Sequence, residues 1–153
     1  MDVELTKRLA GRAVVGLLLG AAVAGSAAAA SSFDPQLIIV AREARQVIAV
    51  IDSFYARHRA CPQPSLPAEL AELQSELGDG YSAEPKGQFI VIGGISMAVV
   101  WLYYTSPQHP DKCTLWRKLG WDPALIWQRH REGAKWVFDP GDGSEQRTVK
   151  LAP

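Results

Sequence analysis

The sequence predicts an α+β domain in which one long N-terminal amphipathic helix packs on a small antiparallel sheet. Three observations predict it. Helically spaced apolar residues run without Gly or Pro from residue 36 to about residue 59. Segments dense in Val, Ile, Phe, Trp and Tyr follow residue 87. Pro- and Gly-rich punctuation separates the two regions and breaks up the second. A chain of 153 residues with 48% hydrophobic and 21% charged residues has the size and composition of one ordinary domain with a buried core. The expected division is 1–30 as a signal peptide or membrane anchor and 31–153 as one globular domain.

The first thirty residues read as an address. Lys7, Arg8 and Arg12 precede an apolar run from Ala13 to Gly25, and small residues occupy 26–32. A charged start, a short apolar middle and a small-residue end form the pattern of a secretory signal peptide cleaved before Ser31. The competing reading is a retained anchor: residues 13–30 are uncharged and reach the lower length for spanning a bilayer. Contact with a membrane is expected only in that second case. Either way the globular part faces an oxidising space, so the expected location is periplasmic or secreted, or anchored facing the periplasm.

The elements follow in order. Asp34-Pro35 suits a helix start, Asp as N-cap and Pro at the first helical position. Leu37, Val40, Ala41, Ala44, Val47, Ile48, Ile51 and Tyr55 then recur at three and four, predicting a single helix of about 24 residues, roughly 36 Å long. Cys61-Pro62-Gln63-Pro64 ends it. Ser65 and Pro67 open a short second helix whose apolar side is Leu70, Leu73 and Leu77, stopped by Gly78-Asp79-Gly80. Residues 88–92 and 97–105 read as strands around a Gly93-Gly94 turn or bulge, and 106–111, with two prolines, as a loop. Residues 113–119 suit a strand, while 125–131 fit helix or strand equally. Residues 134–138 and 146–151 form a hairpin around the turn-rich Asp139–Ser144. Trp101, Trp116, Trp127 and Trp136 all read as core, with an exposed Trp platform as the alternative.

The order of elements has a likeness. Ile51-Asp52-Ser53-Phe54-Tyr55-Ala56-Arg57-His58, then Cys61-Pro62, then Leu66-Pro67-Ala68-Glu69-Leu70 and a strand region resemble the globular part of type IV pilin-like and secretion pseudopilin proteins. The resemblance implies a helix covered by a small antiparallel sheet and an Asp- and Gly-rich C-terminal loop able to hold calcium in some members. The prepilin cleavage motif of that family is lacking: Gly11 is followed by Arg12, and Gly16 stands where the family's Glu would be.

Few residues suggest chemistry. Cys61 and Cys113 are the only thiols, and in an exported chain the favoured state is a disulfide between the long helix's end and the sheet. On the chain-entropy account such a loop closure contributes about 4 kcal/mol. The rival is a tetrahedral zinc site from His58, Cys61, His109 and Cys113; a Cys–His nucleophile ranks third. Asp139, Asp142 and Glu145 could offer oxygens to calcium, but their spacing fits a plain turn better than a calcium loop. No cofactor is expected, because phosphate-cradling glycine loops, nucleophile elbows and dinucleotide fingerprints are absent from the sequence.

Charge sums to zero, 16 basic against 16 acidic, which removes the global case for nucleic acid. Its distribution is uneven. Glu69, Glu72, Glu76, Asp79 and Glu84 precede the strands, and Lys112, Arg117, Lys118, Arg129, Arg131 and Lys135 follow, interleaved with Trp116, Trp121 and Trp127. The expected function is that of a non-enzymatic cell-envelope protein acting through protein partners, a pilin-like subunit or accessory factor being its most specific form. The alternative is a small periplasmic hydrolase or ligand-binding protein using His58, His109 or the Asp139–Glu145 loop.

Overall fold

The computed structural model describes residues 34–94 and 100–151. The expected signal peptide or anchor at 1–30 therefore lies outside the described residues, as does the start of the strand expected at 97–105.

Alternating, aromatic-rich segments separated by tight turns build one antiparallel sheet. Its strands are β1 (Tyr81–Lys86), β2 (Phe89–Gly94), β3 (Trp101–Ser106), β4 (His109–Lys118), β5 (Ala124–His130), β6 (Gly133–Asp139) and β7 (Arg147–Val149), paired strictly in chain order. Cross-strand registers fix which residues share a face: Ile90 lies opposite Tyr103, Tyr103 opposite Leu115, Leu115 opposite Trp127, Trp127 opposite Trp136 and Trp136 opposite Val149. This row, with Ile92, Trp101, Cys113 and Leu125, is the sheet's share of the core.

Three helices supply the other share: α1 (Asp34–Glu43), α2 (Arg45–His58) and α3 (Pro67–Leu77). Leu37, Ala41, Val47 and Ile51 on the first two, Ala44 between them, and Leu73 and Leu77 on the third are buried members of the periodic stripes read from sequence, and Phe54 is buried beside them. Arg59, left-handed at φ 55°, closes α2 by donating its N–H to Tyr55 O at 2.8 Å.

The predicted architecture needs correcting on both counts. Among the described residues there is no single long N-terminal helix. The run breaks at Ala44, whose N–H bonds Ala41 O at 3.2 Å, a tightened i to i−3 turn, before Ile48 N resumes with Ala44 O at 2.8 Å. No Gly or Pro marks the break. It falls where a fully buried Ala44 meets the core and where the adjacent Glu43 turns to pair with Arg117 of the sheet. Nor is the sheet small: the described structure is mostly sheet, with some helix.

The missing strand was β1, concealed by Pro85 and charged residues, which an edge strand tolerates. The expected 106–111 loop shrinks to a tight turn, since β4 already starts at His109 and carries Pro110. Of residues 125–131, all but Arg131, which begins the next turn, resolve as strand. Ser65 does not cap α3; Leu66 stands at the N-cap with no side-chain bond.

The helices do not cover the sheet evenly. The chain leaving α2 is bonded to β4 through Cys61–Cys113, and Glu43 of α1 pairs with Arg117 further along β4. So α1–α2 runs antiparallel to β4, over β4 and β5, while α3 packs beside α2 and against β1. Seven strands at about 4.8 Å spacing span about 29 Å. Two helix columns 8–10 Å apart cover about 20 Å of that; at the far margin Phe138 and Val149 are still buried in the core, while Trp136 is only half-buried and forms a ledge beside α1–α2.

Candidate functional site

The Cys61–Cys113 disulfide is present, Cα atoms 6.0 Å apart across a sequence separation of 52. Both sulfurs are buried, and no cysteine among the described residues is free. Proline-rich chain after α2 is pinned by the same junction. Cys61 N donates to Pro110 O at 2.6 Å, and the Tyr103 hydroxyl donates to Pro62 O at 2.9 Å. Burial, with a smaller push from Glu69, holds the Tyr103 hydroxyl protonated well above its usual range, so it remains a donor.

The bridge consumes the thiols that the zinc reading required. His58, at the end of α2, is engaged elsewhere: its ring lies 4.2 Å from that of Phe54 and its Nε2 3.0 Å from Glu72 Oε1. His109 stands exposed at the start of β4. Among the described residues no three His, Cys, Asp or Glu side chains converge as a metal site would need.

The turn Asp139–Ser144 spends its carboxylates on itself. Asp139 Oδ1 accepts from Gly141 N at 2.9 Å and its Oδ2 from Gln146 Nε2 at 2.7 Å. Asp142 Oδ1 accepts from the Ser144 N–H at 2.9 Å and from its hydroxyl, bonds that lower the Asp142 pKa. Glu145 is exposed. These are the bonds of a structural turn, and Asp139, Asp142 and Glu145 are not drawn together.

Strand alternation also dissolves the expected basic surface. Arg117 and Arg129 point to the helices, pairing with Glu43 and Asp52, and Arg129 lies 4.1 Å from the Tyr55 ring centre. Lys118 and Lys135 belong to the opposite face. The acidic cluster is likewise partly internal to the fold: Glu72 and Glu76 both bind Arg57, and Glu69 accepts from Gln63 N at 2.7 Å.

What the sheet does assemble is an apolar face on which none of the described helices lies. Val91, Leu102, Trp116, Ile126, Val137 and Thr148 lie in one cross-strand row on the side away from the core. Beside them Phe89 lies opposite Tyr104, ring centres 5.6 Å apart. Phe89 is 36% exposed, Val100 45% and Trp121, in the β4–β5 turn, 93%. Trp116 is thus not core, contrary to expectation.

No family model, curated protein or solved structure matches this chain.

The sequence reading passed over this face, although a signal for it was present. Phe89-Ile90-Val91-Ile92, Trp101-Leu102-Tyr103-Tyr104 and Ala124-Leu125-Ile126-Trp127 are continuous apolar runs. An antiparallel strand with one side in water alternates apolar and polar; unbroken runs belong to strands covered on both sides.

A second feature was also missed: a cleft of about 560 Å³ on the ledge between α1–α2 and β5–β6, with Trp127 and Trp136 on the strand side. Nothing in linear sequence sets these indoles opposite Arg42 and Arg45. Among the described residues no helix is long and apolar enough to cross a membrane.

Proposed function

We propose that this is a binding protein of the cell envelope, acting on another protein through the open face of its sheet rather than by catalysis. The single observation behind the reading is the half-exposed Val91–Leu102–Trp116–Ile126 row, apolar on the side the described helices leave bare, with Val137 buried at its end. Burying it returns on the order of 25 cal/mol per Å² of apolar surface, and contiguous apolar patches of this kind mark interaction sites.

The partner's chemistry follows from the face. An apolar centre is bounded by Glu84 and Lys86 on β1 and by Lys118, Lys135 and Asp139 towards the other edge. Apolar core and mixed-charge rim are the anatomy of a protein–protein interface, and the occupant is a protein that lays an apolar layer across the strands. A buried disulfide supports an oxidising, periplasmic or secreted location. The pilin-like form of this reading rests on the order of elements alone.

The test is co-purification of the full chain from its native envelope beside a Leu102→Glu, Trp116→Glu variant. Wild type should hold a partner, or a second copy, in stoichiometric amount; the variant should lose it by at least about tenfold, which is 1.4 kcal/mol, with unchanged circular dichroism. Equal recovery by both chains, or a wild type that stays alone in native envelope, overturns the proposal.

A further inference from the structure

The ledge on the opposite, helix-bearing side carries a separate inference. Ala41, Arg45, Ile48 and Asp52 succeed one another at four, three and four along one flank of α1–α2 and form one wall of the cleft. The Trp127–Trp136 pair faces them. Eleven residues of helix make this trough about 16 Å long, comparable to an extended dodecyl chain. Its middle is Ile48, Ala49 and indole.

Its polar groups stand at the ends and differ in kind. Asp52 at one end is already bonded to Arg129. At the other, Arg42 and Arg45 are exposed and make no hydrogen bond or ion pair among the described residues. A narrow apolar trough with two uncommitted guanidinium groups at one end fits an extended apolar body with an anionic head.

We propose that this trough binds an anionic single-chain amphiphile, its carboxylate or phosphate head on Arg42 and Arg45 and its chain along Ile48, Ala49 and the Trp127–Trp136 pair. The site lies on the other side of the sheet from the proposed protein-binding face and does not depend on it. Trp136, half-buried in the wall, is a built-in reporter.

The experiment titrates the full chain with monomeric dodecanoate and with dodecyl phosphate, following tryptophan fluorescence and calorimetric stoichiometry. Dodecyltrimethylammonium is the control of opposite charge. Expected is one site per chain for at least one anion, with the cation weaker by at least about tenfold; whichever anion binds more tightly identifies the head group. An Arg42→Gln, Arg45→Gln variant should lose about tenfold or more while keeping its wild-type melting temperature, since neither arginine supports the fold. Trp116→Glu, on the far side, should bind as wild type. Equal affinity for the cation, an unaffected double-arginine variant, or loss of binding in Trp116→Glu would each overturn the assignment.

Discussion

The two faces of the sheet are made from the same strands and nearly the same residue types, yet they end in different environments. On the inner face Trp101, Tyr103, Leu115 and Leu125 are fully buried under helices. On the outer face Leu102, Tyr104, Trp116 and Ile126, each a chain neighbour of one of those, remain half-exposed. Composition cannot tell the two sets apart. Only the helix layer, which among the described residues occupies one side, decides which apolar residues are buried in the core and which stay half-exposed.

The comparison is sharpest at two tryptophans. Trp101→Ala should cost about 3–5 kcal/mol, the usual penalty for emptying an aromatic site in a packed core. Trp116→Ala should cost the isolated chain no more than about 1 kcal/mol. Chemical denaturation of both variants measures the difference. Equal losses would mean that Trp116 belongs to the monomer's own core.

The inner face also depends on how firmly its helix layer is held. Replacing both cysteines with Ala should lower stability by about 2–4 kcal/mol, because the bridge ties the end of α2 to the middle of the sheet. Open-face residues should respond little, and hydrogen exchange in β4 relative to α2 would register where the loosening falls.

A smaller effect is expected at the sheet's end. Gly141 has φ +75°, and a Cβ there would lie 2.3 Å from Asp122 O, so the C-terminal turn packs directly on the β4–β5 turn. Gly141→Ala should cost on the order of 1–3 kcal/mol. It should also shift Trp121, the neighbour of Asp122 and the most exposed large apolar residue among those described, which fluorescence would report.

These contrasts show which parts of the molecule were legible in its sequence. The α2 stripe, the α3 stop at Gly78, the β6–β7 turn and the Cys61–Cys113 bridge were legible, because each is set by local periodicity, turn chemistry or simple elimination. The break at Ala44 was not, since a tightened turn imposed by packing leaves no breaker residue. Arg117 and Arg129 looked like surface charge because their partners, Glu43 and Asp52, lie over seventy residues away in the chain. The open face was half legible: unbroken apolar runs announced strands covered on both sides, while which side lacked its cover depended on where the helices fell.

The least effect is expected from the ion pairs, and it separates the layer contact from the free surface by sign. Asp52, partly buried on the flank of α2, has its carboxyl raised from its ordinary 3.8 by desolvation, with Arg129 opposing. A carboxyl raised on folding favours the protonated native state, so its contribution is fully present below pH 3.8 and is lost as pH rises through the folded value. Glu72, on the exposed α2–α3 flank, is lowered from 4.5, first by its bond to His58 and then by Arg57. Its contribution is present above pH 4.5 and is lost as pH falls through the folded value. Asp52→Asn should therefore change stability at neutral pH by under about 1 kcal/mol, because relieved desolvation offsets the lost pairing with Arg129. Between about pH 3 and 5 the variant should rise more steeply in stability with pH than wild type, since the Glu72 slope then stands unopposed. Denaturation midpoints across that range measure it, and a shallower rise in the variant would place Asp52 among the stabilising surface pairs instead of at a desolvated contact between helix and sheet.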